Sequence, residues 1–317
     1  SRWHQRSDLT SDLTMPKFSH HLVCGAHVLL AAAVALSTTP APPRLTLWTS
    51  GTCPYAQRAQ IALEEAGVPY GVSKVDLRDK SEAFLEAYRR AVPGGRGKVP
   101  VLEVLYHPGG KDEALTTLVE SLPVAEYVCE SYGTDASYPR APEARALCRV
   151  LVEVQPFSGY LALLRRRDDP IDLADGISDL GKAVKDFDRF LEAHQQENNG
   201  GPFLFGEDFT FAEMAVAPFV QRCVATLRYF VDVDVREMCK FRNAPRALAF
   251  VEAVLKRPSV VATGVPEADL IDSTRTMLDR FMDAQKEAKK KALEEARALL
   301  EATVSSSSGG PPTSPVS

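Results

Sequence analysis

The residues best placed for chemistry are Thr52-Cys53-Pro54-Tyr55-Ala56-Gln57-Arg58. They follow RLTLWTS from Arg44, whose alternation reads as a strand. They open a segment in which Ala59, Ala62, Leu63 and Ala66 recur at i, i+3, i+4 and i+7, the spacing of a helix. Cys53 therefore falls where a strand gives way to a helix, and its sulfur is expected to face unpaired backbone N–H groups and the positive end of the helix dipole. Such a position favours the thiolate: cysteine pKa values at helix N-termini fall from about 8.5 into the ~3.5 to 7.5 range. Pro54 suits the first helical position, which needs no amide hydrogen. On the motif alone, the lesser alternative for Cys53 is an ordinary small residue at a turn.

The position three residues on decides what kind of thiol chemistry follows. A dithiol oxidoreductase carries a second cysteine there to resolve its mixed disulfide, whereas this chain has Ala56. Resolution must come from outside, and glutathione is the natural small thiol: Cys53 would attack a glutathionylated substrate, hold the glutathione as a mixed disulfide and be released by a second glutathione. Cys129, Cys148 and Cys223 lie in helical patterns and Cys239 in a less certain stretch, so inert burial is expected of them. With Cys24 they make six, with no CxxC pair and no Cys/His spacing for zinc, so no metal is expected and a reducing compartment is the easier reading.

Three further features would build a pocket for the tripeptide. Val99-Pro100 opens a strand; a cis peptide there would turn the Val99 backbone outward to pair with an extended ligand, while an ordinary trans edge proline is the alternative. Glu120-Ser121 ends the next strand and opens a helix. Ser121 as N-cap could receive the γ-glutamyl carboxylate on free amides while Glu120 pairs with the ammonium group, or Ser121 could simply cap. Lys80 could salt-bridge the glycyl carboxylate.

The chain of 317 residues, 45% hydrophobic and 25% charged, can bury a full core and is too balanced to be disordered. Its net charge of -5, with no basic run standing apart from acidic residues, argues against a nucleic-acid partner. From 45 to 133 the pattern reads β-α-β-α-β-β-α. The strand-helix-strand start demands a crossover onto a parallel neighbour, and the later strand pair suggests an antiparallel hairpin, a thioredoxin-like α/β domain. GTDASYPRAP, Gly133 to Pro142, is a linker. An all-α domain over 140–282 follows, with helices expected at Glu143–Arg167, Leu173–Glu197, Phe211–Phe230 and Pro245–Leu255, the second stopped by Asn198 to Gly201. Thr210 and Glu213 form a capping box, with Phe209 and Met214 as its hydrophobic staple. A charged helical extension, 283–304, pairs Glu287 with Lys291, and 305–317 is expected to be a disordered tail. Residues 1–44 read as a leader. The apolar run Leu22–Leu36 is short for a bilayer span and is either a targeting peptide or a buried Ala-rich helix, with Met15 a possible start. A mature protein without a stable membrane span, cytoplasmic or organellar, is expected.

The strand before Cys-Pro-Tyr-Ala-Gln-Arg, the run Gly97-Lys98-Val99-Pro100-Val101-Leu102, Glu120-Ser121, and then Phe209-Thr210-Phe211-Ala212-Glu213 and Arg257-Pro258-Ser259-Val260 together resemble a cytosolic-type glutathione transferase. Within that superfamily the chain is similar to the cysteine-active omega, lambda and dehydroascorbate reductase group, over roughly Leu45 to Val260. The resemblance implies the GST fold, Cys53 as catalytic residue, and Lys80, Val99, Pro100, Glu120 and Ser121 on the glutathione site. It also implies glutathione as co-substrate, a small disulfide or electrophile as second substrate, and thiol transfer or dehydroascorbate reduction rather than conjugation. A homodimer is usual for such proteins. The alternative is a non-catalytic binding module comparable to chloride intracellular channel proteins or translation-factor appendages, although Arg58, Glu64 and Glu65 argue against ready membrane insertion of the first helix. Departures from the pattern are the glycine-rich Arg90–Arg96 approach, the lengthened hairpin Tyr106–Glu113 and Tyr55 in place of the commoner Phe. Phe157, Tyr160 and Phe219 could line the second-substrate side or belong to the core.

Overall fold

Alternation in the first strand sets the architecture. In β1 (Arg44–Thr49), Leu45, Leu47 and Thr49 are buried on one face while Thr46 and Trp48 look to the other. The computed structural model describes residues 42–195 and 200–307. The leader before Pro42 with Cys24, residues 196–199 at the expected helix stop, and the tail from Ser308 lie outside the described residues. After β1 come α1 (Pro54–Ala66), β2 (Tyr70–Lys74), α2 (Glu82–Ala91), β3 (Val101–Tyr106), β4 (Ala114–Val119) and α3 (Ser121–Tyr132). The four strands form a mixed sheet in the order β2-β1-β3-β4. β1 runs parallel to β2, with Leu47 opposite Val72, and antiparallel to β3, with Leu47 opposite Leu102; β3 and β4 form the hairpin. The parallel pair needs α1 as its crossover. This is a thioredoxin-like domain.

Each face of the sheet is covered. Leu45, Leu47, Leu102 and Val104 pack with α1 and α3 in a core continuous with the α domain, whereas Val75, Phe84, Tyr88, Val99 and Val101 form a smaller cluster beneath α2. Gly67 ends α1 in the left-handed region, φ 63°. Gly97, φ 73°, lies so close to α2 that a Cβ would come within 2.9 Å of Phe84 and Leu85. A side chain there would push the approach to β3 off the helix.

The all-α half comprises α4 (Pro142–Val154), a 3₁₀ turn (Phe157–Gly159), α5 (Tyr160–Leu164), α6 (Pro170–Gln195), α7 (Phe211–Val231), α8 (Val235–Phe241), α9 (Pro245–Lys256), α10 (Pro258–Ala262) and α11 (Glu267–Ser307). The single helix expected over Glu143–Arg167 is broken. Pro156 forces Gln155 out of the helical region, ψ 137°, and the Gln155 Oε1 accepts from the Phe157 and Ser158 amides to start a new turn. The stretch Pro142–Leu164 is long and apolar enough by composition to cross a membrane. Here Cys148, Leu151, Phe157 and Leu164 enter the core instead. Two elements were not foreseen: α8, started by Asp234, whose carboxylate accepts from the Arg236 and Glu237 amides, and α10 after Pro258. Along α11, Lys291 reaches forward to Glu295 rather than back to Glu287. The helix takes in residues 305–307, the first three of the stretch expected to be disordered, because a long Ala/Glu/Lys/Leu run propagates one hydrogen bond at a time past its last strong former.

Helix α7 is the axis of this half. It packs against α1, α3, α4, α5, α9 and α11. Its entry is the expected capping box: the Thr210 hydroxyl accepts from the Ala212 amide, and the Glu213 carboxylate accepts from the amides of Thr210 (2.9 Å) and Leu204 (3.1 Å) and from the Thr210 hydroxyl. Glu213 is wholly buried, and burial raises its pKa above the usual carboxylate value. Removing the carboxylate strands two buried amides. Glu213→Ala is therefore expected to lower stability by about 2–4 kcal/mol, read from urea unfolding followed by far-UV circular dichroism.

Candidate active site

Cys53 is the N-cap of α1, with extended backbone (φ −79°, ψ 117°) and Pro54 at the first helical position. Its amide donates to the Ser50 carbonyl and its carbonyl accepts from the Gln57 amide, so the strand-to-helix turn is fixed by backbone bonds at both ends. The sulfur accepts no hydrogen bond from the first turn, and the residue is half-buried. It opens into a cleft of about 510 Å³ between the loop after β2, the turn before α1, and helices α5, α7 and α11.

Behind the thiol stands Arg222 of α7, which no local motif singled out. It is 2% exposed. One guanidinium nitrogen donates to Gln57 Oε1 (2.7 Å) and the Pro218 carbonyl (2.9 Å), the other to the Thr52 carbonyl (3.0 Å). Among the described residues no carboxylate pairs with it. Burial lowers its pKa, opposed by the anionic forms of Tyr160 and Cys53. Arg58 repeats the theme from the other side. It reaches from α1 to the Ala215 carbonyl (2.7 Å) and the Ser121 hydroxyl (3.2 Å), and its guanidinium lies 4.8 Å from the centre of the Phe219 ring. Gln57 completes the seam through Gln221 Oε1 at 2.6 Å. Near the far end of α1, Glu65 accepts from Arg257 at 2.7 and 2.6 Å and from the Ser259 hydroxyl.

A second cleft, about 360 Å³, is lined by Tyr55, Lys98, Val99, Pro100, Glu120 and Ser121. Tyr55 is common to both clefts, and its ring meets Phe219 edge-on, centroids 5.4 Å apart. The Val99–Pro100 peptide is cis. Glu120 sits at φ 67°, a left-handed position unusual for a residue with a side chain, and it, not Ser121, is the N-cap of α3. Ser121 is the first helical residue, and its hydroxyl is held by Arg58 instead of capping the helix. The reason is the sharp turn at Glu120, which moves the helix start one residue earlier than the sequence suggests. Lys80 lines neither cleft: its ammonium donates to the Arg96 and Gly97 carbonyls, both at 3.0 Å, and ties down the approach to β3. Of the aromatic candidates, Tyr160 lines the larger cleft, Phe219 is buried edge-on to Tyr55, and Phe157 is core, packed with Phe187 and Phe250.

The chain matches the description "Glutathione S-transferase, N-terminal domain" over residues 52–131 and "Glutathione S-transferase, C-terminal domain" over residues 164–253. The chain belongs to the glutathione S-transferase superfamily. It is 28% identical over 195 residues to pyrimidodiazepine synthase of Drosophila melanogaster, 61% of this chain and 70% of that one. It is 27% identical over 223 residues to a rice (Oryza sativa subsp. japonica) protein named probable glutathione S-transferase DHAR1, cytosolic, 70% of this chain and 89% of that one. Among solved structures, the trimeric glutathione transferase TDR1 of Leishmania superposes with a TM-score of 0.58 at 27% identity, over 73% of this chain and 48% of that chain. Cys53 lies inside the N-terminal match and Arg222 inside the C-terminal one.

Burial separates Cys53 from the other described cysteines of this transferase. It pushes the Cys129, Cys148 and Cys239 thiols up to about 12 and raises that of Cys223 too. Limited iodoacetamide treatment followed by peptide mapping is expected to label Cys53 while these four stay protected until the protein unfolds. The raised values also set a pH dependence. A buried thiol that stays protonated when folded but ionises near pH 9 when unfolded contributes stability that is intact below pH 9 and lost as the pH rises towards 12. Urea midpoints are expected to fall between pH 8 and pH 10.5, at up to about 1.4 kcal/mol per pH unit for each such thiol.

Proposed function

We propose that the protein is a glutathione-dependent thiol transferase, of the thioltransferase and dehydroascorbate reductase type, working through a mixed disulfide between Cys53 and glutathione. The observation that carries this reading is a half-buried cysteine at the N-cap of α1, opening into a cleft beside a buried, carboxylate-free guanidinium, with a buried alanine where a resolving cysteine would stand. The rice relative bearing the DHAR1 name supports the same class.

Glutathione would lie along the smaller cleft. Its cysteinyl backbone would run beside Val99 and Pro100, and its γ-glutamyl end would meet Glu120, Ser121 and the free amides of α3. The Cys53 thiolate attacks the glutathione sulfur of a mixed disulfide. The S–S bond breaks, the acceptor thiolate leaves with a proton from solvent, and Cys53 carries the glutathionyl group. A second glutathione thiolate then attacks that disulfide, giving oxidised glutathione and restoring the Cys53 thiolate. With dehydroascorbate, two glutathiones supply the two electrons and two protons and leave as the disulfide. The positive charge of Arg222 and the dipole of α1 favour negative charge on sulfur during each exchange.

Cys53→Ser is expected to abolish glutathione-dependent reduction of hydroxyethyl disulfide and of dehydroascorbate while leaving the circular dichroism spectrum unchanged. Treatment of the wild type with oxidised glutathione should add one glutathionyl mass, mapped to Cys53. Full turnover by the serine variant would reject the proposal.

A further inference from the structure

The larger cleft carries more positive charge than transfer at Cys53 requires. Arg222 forms part of its floor, Arg78 stands on the loop after β2, and Arg280 lines the cleft from the fourth turn of α11. Arg78 and Arg280 are exposed, and neither guanidinium has an ion-pair or hydrogen-bond partner among the described residues. The acid on the same wall is Asp76, whose carboxylate is engaged by the Arg78 backbone amide at 2.8 Å. On α11, Asp272 and Asp283 are taken by Arg275 and Lys286 of the same helix. Leu77, Leu270 and Met277 supply apolar wall between the two rim arginines. Three cations against one engaged carboxylate, arranged around an apolar surface, select for a ligand with an apolar body and an anionic end.

Resting on the thiol-transfer reading above, we propose that the second substrate is an organic anion, a small disulfide or electrophile bearing a carboxylate or sulfonate. Arg280 and Arg78 hold its charge while its reactive atom meets Cys53. Arg280 is a specificity residue contributed by α11.

The test compares two mixed disulfides of glutathione that differ at one end, with 3-mercaptopropionate (anionic) and with 2-mercaptoethanol (neutral). The wild type is expected to show a higher kcat/KM for the anionic one, by roughly three- to tenfold at low salt, shrinking as ionic strength rises. Arg280→Leu and Arg78→Leu should lower the ratio of the two kcat/KM values, and Arg280→Lys should restore much of it. Equal kcat/KM values in the wild type, or a ratio that survives both leucine replacements, would overturn the anionic subsite while leaving thiol transfer intact. A rise in the KM for glutathione with the ratio unchanged would also overturn it, placing these arginines on the glycyl carboxylate of glutathione. Turnover of neither disulfide would defeat the thiol-transfer reading itself.

Discussion

A single guanidinium ties the two halves of the molecule to one thiol. Arg222, buried in the middle of α7, donates to the Thr52 carbonyl, immediately before Cys53, and to the Gln57 side chain one turn after it. Burying a charge is costly unless its donors are met, and here three carbonyl oxygens meet them. The geometry leaves little freedom: moving α7 relative to α1 would strand a buried cation. The direction of the Cys53 side chain and the docking of the all-α half on the thioredoxin-like half are therefore the same structural fact.

The neighbouring residues of α1 extend that seam. Arg58 spans from the Ala215 carbonyl to Ser121, so the start of α3, one wall of the smaller cleft, is registered against α7 through a side chain of α1. Glu65, two turns on, is gripped by Arg257 and Ser259. One face of α1 is thus polar and partnered, while Ala59, Ala62 and Leu63 supply apolar packing for the sheet and α3. A helix held along both faces is a rigid platform for a reactive group at its N-terminus.

Division of labour between the halves follows from what each can offer. The sheet supplies backbone at fixed positions, the cis peptide before Pro100 and the turn at Glu120, suited to an extended peptide ligand. The helices supply long side chains and a wall that can vary without disturbing the sheet. Lys80 illustrates the contrast. Its ammonium donates to the Arg96 and Gly97 carbonyls and holds the glycine-rich approach to β3.

Local sequence determined the strand-helix order of the first half, the N-cap position of Cys53 and the capping box at Thr210, because each depends on backbone geometry or hydrogen bonds within a few residues; at Val99-Pro100 it left cis and trans open, and the structure has cis. Neighbour effects between adjacent positions were harder to read: Pro156 split a helix that periodicity alone joined, and the left-handed turn at Glu120 displaced Ser121 from the cap. What only the tertiary structure decided lies far apart in the chain. Arg222, more than 160 residues after Cys53, looks like any arginine on a long helix until packing carries it beneath the thiol. Arg280 reaches the same cleft only because α11 lies across α7. Side chains separated by that much sequence leave no local pattern, and their meeting is fixed by how the helices pack.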